Sequence, residues 1–133
     1  MARDLLTIDF DRASGITVVT GIGSWTPAYV DAHFAELRRQ IEAQRLLGIA
    51  VQVVVDLRDA DIQPQGTSER IAANAASSYR EGDRVALVVS SSLAKMHMRR
   101  CAARRDFELF LSYNAALTWL TAYAPRMPDA AVA

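Results

Sequence analysis

The sequence predicts an α/β fold: a single domain with a mixed sheet, in which an opening β-hairpin is followed by β-α-β crossover units with about four helices. The length of 133 residues suits one domain. Residues 51–55 form a valine-rich run between Gly48 and Asp56, which is typical of a strand buried on both faces. Further strand-like runs alternate with stretches whose apolar residues recur at helical spacing.

The first predicted element is the hairpin. Leu6, Ile8 and Phe10 alternate with polar residues, which indicates a half-buried strand. Residues 11–15 carry turn-forming side chains, and residues 16–20 have the composition of a second strand. The hairpin therefore adds one antiparallel strand to a sheet whose other strands we expect to be parallel.

A long first helix follows, which we place at residues 27–47. Thr26 supplies a capping hydroxyl, and Pro27 suits the first turn because its missing N–H has no partner there. Gly48 is a typical helix-ending residue. The predicted buried stripe consists of Val30, Phe34, Leu37 and Ile41.

The valine-rich strand leads into a loop and a second helix. We expect a polar loop over residues 56–66 and a helix that Thr67 or Ser68 caps and that runs to about residue 80. The inner face of this helix carries small alanines, which should allow a close approach to the sheet. Its members are Ile71, Ala72, Ala75, Ala76 and Tyr79.

The remaining elements continue the alternation. Asn114 is the expected cap of the last helix. The predicted domain therefore covers residues 1–124, and residues 125–133 form a loose C-terminal tail. The predicted elements are strands at 84–90 and 107–111 and helices at 93–105 and 115–124.

Composition narrows the function classes. Lys+Arg and Asp+Glu both number 15, and this balance argues against a protein that binds nucleic acid or a membrane over its whole surface, although it leaves local patches open. We predict no nucleic-acid partner. Cys101 is the only cysteine, so an internal disulfide is excluded and a reducing compartment is favoured. The N-terminal stretch MARDLLTIDF does not read as a signal peptide, and no stretch is apolar enough to span a bilayer. We expect a cytoplasmic protein.

The element order and several stretches resemble the STAS domain, the fold of anti-sigma-factor antagonists. Within it they are most similar to SpoIIAA-like (STAS/SEC14-type) small bacterial proteins. The stretches are the opening hairpin, VVVDLRDADIQPQG, VALVVSSS and FELFLSYNAALTWL, and together they span about Ile8 to Tyr123. The resemblance implies a non-catalytic regulatory or protein-interaction module.

Antagonists of that family carry an Asp-Leu-Ser stretch followed by a turn whose serine is phosphorylated. Asp56 and the leucine after it match, whereas Arg58 replaces the serine and Pro-Gln-Gly replaces the turn. Thr67 and Ser68 are the nearest hydroxyls. We expect Asp56, Arg58, Thr67 and Ser68 to form a loop that binds a protein partner or a phosphate at a helix N-terminus. Plain helix capping is the alternative.

A second polar cluster stands at the start of the predicted third helix. Ser91, Ser92 and Lys95 would bind an anion through backbone N–H groups and the ammonium group. A simple helix cap is the alternative. Ser92 and Lys95 also match the S-x-x-K pattern of serine acyl enzymes, but the K-T-G element of those enzymes is missing.

Metal ligands and catalytic groups do not form a complete set. Asp56, Asp59 and Asp61 crowd one loop, but no second acidic cluster accompanies them. His97 and Cys101 lie one helical turn apart and supply only part of a zinc site. No nucleophile, base and orienting group converge. We therefore predict no metal, no cofactor and no catalytic residue.

Large aromatic residues suggest a different kind of site. Trp25 precedes the first helix, and Trp119 and Tyr123 lie on the last one at helical spacing. We expect them to line an apolar pocket or a homodimer face, with ordinary core packing as the alternative. Two functions stay open: a regulatory module with a protein partner, and a small binding protein for an apolar or anionic, lipid-like metabolite.

Overall fold

The structure is a computed structural model that describes residues 4–101 and 107–122. Within these residues the chain forms a five-stranded sheet and helices on both of its faces. Their order confirms the predicted alternation of strands and helices. The elements are β1 (Leu5–Asp11), β2 (Ile16–Gly23), α1 (Pro27–Leu46), β3 (Gln52–Ala60), α2 (Gln65–Ser78), β4 (Arg84–Val88), α3 (Ser92–Cys101), β5 (Phe107–Phe110) and α4 (Tyr113–Ala122).

The sheet has the strand order β1-β2-β3-β4-β5. β1 pairs with β2 in antiparallel fashion, as the hairpin prediction requires. The other neighbouring pairs are parallel, so β2, β3, β4 and β5 end at the same edge of the sheet. The predicted mixed sheet is confirmed.

Two cores lie on opposite faces of the sheet because successive residues of a strand point to opposite sides. Val53 of β3 belongs to the core on the side of α1 and α2, and Val54 belongs to the core under α4. The predicted stripe of α1 is buried in the first core, and the Thr26 hydroxyl accepts the predicted capping bond from the Tyr29 N–H at 3.1 Å. Ala116 and Leu120 anchor α4 in the second core.

The boundary between β3 and the following loop was predicted wrongly. β3 continues to Ala60, through residues that the sequence marks as polar loop. The reason is tertiary: Asp59 and Ala60 pair with Ile22 and Gly23 of β2, and this pairing overrides the local composition. The loop between β3 and α2 is therefore short.

Two predicted helix caps were also wrong. α2 begins at Gln65, and the residue before it, Pro64, makes no side-chain capping bond. α4 begins at Tyr113, one residue before the predicted cap Asn114, and the Ser112 hydroxyl accepts a bond from the N–H of Ala115 at 3.2 Å. The predicted C-terminal end of the third helix, residues 123 and 124 of the fourth, and the tail lie outside the described residues.

Gly21 permits a close contact between β2 and the indole ring of Trp25. A Cβ atom at Gly21 would lie 2.8 Å from Cζ2 of Trp25 and 2.9 Å from a methyl carbon of Leu57. Real side chains do not approach so closely, and Trp25 is only 7% exposed. The tryptophan therefore needs glycine at this position.

We expect Gly21→Ala to lower the free energy of unfolding by about 1–3 kcal/mol, because the added methyl group overpacks the site of Trp25. Gly66→Ala is the matched control, since a Cβ atom there meets nothing within 4 Å and Gly66 lies inside α2. This control should be neutral or stabilising by up to about 1 kcal/mol. Urea unfolding of both variants checks the prediction, and equal effects would contradict it.

Candidate functional site

A cavity of about 360 Å³ lies on the side of the sheet that α1 and α2 cover. Its volume falls in the range of about 300–1,000 Å³ that is typical of small-molecule sites. The wall is predominantly apolar. We call this space the α2 cavity, and its wall includes Trp25, His33, Phe34, Leu57, Ile62, Gln63, Ile71, Ala72, Ala75, Tyr79, Leu87 and Phe107.

Small side chains on α2 leave this space open. The sequence predicted that the alanines of the inner face would let α2 approach the sheet closely. That expectation was wrong, because Ala72 and Ala75 line the cavity. The short alanine side chains do not fill the space between α2 and the sheet.

Polar contacts between α1 and α2 fix that distance. Arg38 of α1 donates hydrogen bonds to the amide oxygen of Asn74 at 3.2 Å and to the hydroxyl of Ser78 at 3.1 Å. Asn74 in turn donates to a carboxylate oxygen of Asp31 at 2.8 Å, and Arg70 forms an ion pair with the same aspartate. The two helices are thus joined along their length by a continuous network.

Trp25 closes one side of the α2 cavity and is held by backbone groups. Its indole N–H donates to the carbonyl oxygens of Leu5 at 3.1 Å and Ile22 at 3.0 Å. Its own N–H donates to the side-chain oxygen of Gln63 at 2.9 Å, and its carbonyl accepts from the Thr67 hydroxyl at 3.0 Å. These bonds tie the start of α1 to the start of α2.

Thr67 is therefore a buried anchor and not the predicted helix cap. Thr67 is 3% exposed, and its hydroxyl donates to the carbonyl of Trp25. A phosphate on this oxygen would have to break that bond inside the protein. The neighbouring Ser68 is half-buried, and its hydroxyl donates to the carbonyl of Gln63 at 3.4 Å.

Asp56 and Arg58 lie apart from Thr67 and Ser68. They follow Val54 at alternate positions of β3 and so face the side of α4. Arg58 donates to both carboxylate oxygens of Asp56, at 2.9 and 2.8 Å, and its guanidinium lies 5.3 Å from the ring centre of Tyr113. The hydrogen bond from Arg58 lowers the pKa of Asp56. The four residues predicted to form one loop site therefore lie in two separate places.

The serine and lysine cluster forms a helix start. The Ser91 hydroxyl accepts a bond from the N–H of Ala94 at 3.1 Å, which is the capping geometry of the alternative interpretation. Ser92 is the first residue of α3, and the backbone N–H of Lys95 donates to the carbonyl of Ser91 at 2.9 Å. Anion binding here stays a prediction.

The predicted aromatic group is divided between the two faces of the sheet. Trp25 lines the α2 cavity, whereas Trp119 packs against the core under α4. There its ring lies 4.4 Å from the guanidinium of Arg84 and 5.7 Å from the ring of Phe110. Tyr123 lies outside the described residues. A single pocket that contains both tryptophans is therefore excluded.

His33 is a wall residue that the sequence analysis did not single out. Burial lowers the pKa of its imidazole to about 4, so the ring is neutral at pH 7. One indication of this position was present in the sequence: His33 directly precedes Phe34, which belongs to the buried stripe of α1. Asp61 also lines the cavity and is exposed, and no lysine or arginine lines it among the described residues.

Neither a metal site nor a membrane span is apparent in the part of the chain that the structure describes. No group of three or more histidine, cysteine, aspartate or glutamate residues is arranged to hold an ion there. In the same residues, no helix combines the length and the apolar character needed to cross a bilayer.

The pKa of His33 predicts a pH-dependent stability. An unfolded histidine binds a proton near pH 6.5 and the folded one near pH 4, so the unfolded state binds more protons between these values. Stability is then full above about pH 6.5 and falls as the pH drops toward 4. Relative to His33→Leu, wild-type protein should lose about 2–3 kcal/mol of unfolding free energy between pH 7.5 and 4.5. Urea titrations at both pH values test this, and parallel losses in the two proteins would contradict it.

Comparisons with known proteins identify the fold. Searches of family models and of curated proteins find no match. An uncharacterised protein with a SpoIIAA-like fold from Shewanella loihica is 18% identical, with a TM-score of 0.59 over 90% of this chain and 95% of that one. An anti-sigma factor antagonist from Mycobacterium paratuberculosis is 19% identical, with a TM-score of 0.56 over 87% and 94%. The anti-sigma factor antagonist SpoIIAA in its unphosphorylated form is 9% identical, with a TM-score of 0.55 over 87% and 97%. The chain therefore has the SpoIIAA-like fold of STAS-type domains, as the resemblance implied.

Proposed function

We propose that this protein is a non-catalytic, cytoplasmic regulatory module that binds a protein partner at the carboxyl ends of its parallel strands. Ligands and partners of open α/β sheets bind outside these strand ends. Two of the solved structures with this fold are anti-sigma factor antagonists, which supports a regulatory role.

Exposed apolar side chains at this edge carry the proposal. Ile62 follows β3 and is 69% exposed, and Leu93 stands in the first turn of α3 and is 70% exposed. We call these two residues the apolar rim. Large apolar side chains that remain in water at the strand ends are suited to burial against a partner protein.

The proposed control differs from a phosphoserine switch in the loop before α2. Pro64, Gln65 and Gly66 supply no acceptor hydroxyl, and the hydroxyl of Thr67 is buried in a hydrogen bond. The hydroxyl of the half-buried Ser68 donates to the carbonyl of Gln63. Regulation would instead act through the partner itself or through an occupant of the α2 cavity. Homodimerisation stays a prediction.

Affinity capture from the cells of origin tests the partner proposal. We expect Ile62→Glu and Leu93→Glu to reduce recovery of a specific partner by about tenfold or more, because each buries a charge in the interface. Leu46→Glu is the matched control, since Leu46 is 89% exposed at the end of α1, at the opposite edge of the sheet. Absence of a specific protein, or recovery that the rim variants leave unchanged, would contradict the proposal.

A second candidate function is favoured by the α2 cavity. We infer that the chain binds a small apolar molecule there, which would fill a space that its own side chains leave empty. Apolar walls left without contact cost stability, and an apolar occupant supplies those contacts. Ile62 belongs both to the wall and to the apolar rim, so the two candidate functions share a residue.

A further inference from the structure

We propose that the α2 cavity selects an uncharged, single-chain amphiphile of the fatty-alcohol class over the carboxylate of the same chain length. The polar group of this ligand would pair with His33. The inference rests on the second candidate function and names the ligand class of that site.

The apolar part of the ligand follows from the wall of the cavity. Aromatic rings of Trp25, Phe34 and Tyr79 surround it together with the alanines of α2. Burial of a hydrocarbon chain against such a wall removes apolar surface from water, and each buried CH₂ group adds to the affinity. A chain of medium length has enough methylene groups for measurable affinity.

The polar part follows from His33. Its half-buried imidazole packs at 5.1 Å from the ring of Phe34 in an edge-to-face arrangement and makes no hydrogen bond to the described residues. A neutral imidazole offers one N–H donor and one acceptor nitrogen. A hydroxyl group also has a donor and an acceptor, so it can pair with either nitrogen.

The charge of the wall argues against a carboxylate. Among the described lining residues, Asp61 is the one acidic side chain and no lysine or arginine accompanies it, so the wall offers a carboxylate no cationic partner. The Gln63 amide has no N–H left for a carboxylate, because its nitrogen already donates to the carbonyls of Gly23 and Asp61. A carboxylate that moves from water into this cavity would therefore meet no positive charge, and its loss of hydration would weaken binding.

Calorimetric titration of the purified protein at pH 7.5 with decanol and with decanoate tests the proposal. We expect saturable binding of decanol and at least about tenfold weaker binding of decanoate. His33→Leu should weaken decanol binding about tenfold, and His33→Gln, which keeps a donor and an acceptor, should restore most of it.

Two further variants locate the binding. Ala72→Phe places a ring in the cavity and should abolish decanol binding, whereas Ala73→Phe adds the same ring at an exposed position of α2 that does not line the cavity. Circular dichroism establishes that both variants are folded. The comparison of decanol with decanoate on wild-type protein stands without them.

The possible results distinguish a wrong ligand class from a cavity that binds no ligand. Decanoate bound as tightly as decanol, or decanol binding that His33→Leu leaves unchanged, would overturn the proposed selection while the cavity remains a binding site. Binding of neither compound, or binding that survives in a folded Ala72→Phe protein, would overturn the second candidate function as well.

Discussion

The position of α2 depends on hydrogen bonds at several points along it, and the rest of the site depends on that position. Thr67, in the first turn, bonds to the carbonyl of Trp25. Farther along, Asn74 and Ser78 accept bonds from Arg38 of α1. Such bonds contribute about 1 kcal/mol each, and more where a guanidinium donates. They hold the helix where its alanines do not fill the space above the sheet, and the α2 cavity is the consequence.

Local signals were sufficient for much of the fold. The Thr26-Pro27 start and the apolar stripe placed α1 within one residue of its end, because capping and helical periodicity are properties of neighbouring residues. The extension of β3 to Ala60 was not accessible in this way. Its polar residues are held in the strand by pairing with β2, and that pairing depends on residues far away in the sequence.

The site was less predictable because it depends on which face of the sheet each helix covers. Trp25 and Trp119 look equivalent in the sequence, yet the cavity contains only Trp25, since α4 packs on the other face. In the sequence Thr67 resembles a helix cap, but in the structure its hydroxyl donates to the carbonyl of Trp25. His33 gave little signal, because a histidine beside a buried stripe does not reveal that the space next to it is empty.

The α2 cavity is space for a ligand if the protein carries one in the cell, and native mass spectrometry of protein purified gently from its own cells measures this. We expect a non-covalent adduct of lipid-like mass on the wild-type chain, and we expect Ala72→Phe to lose it. Wild-type protein that carries no adduct, or an adduct that persists in a folded Ala72→Phe protein, would contradict it.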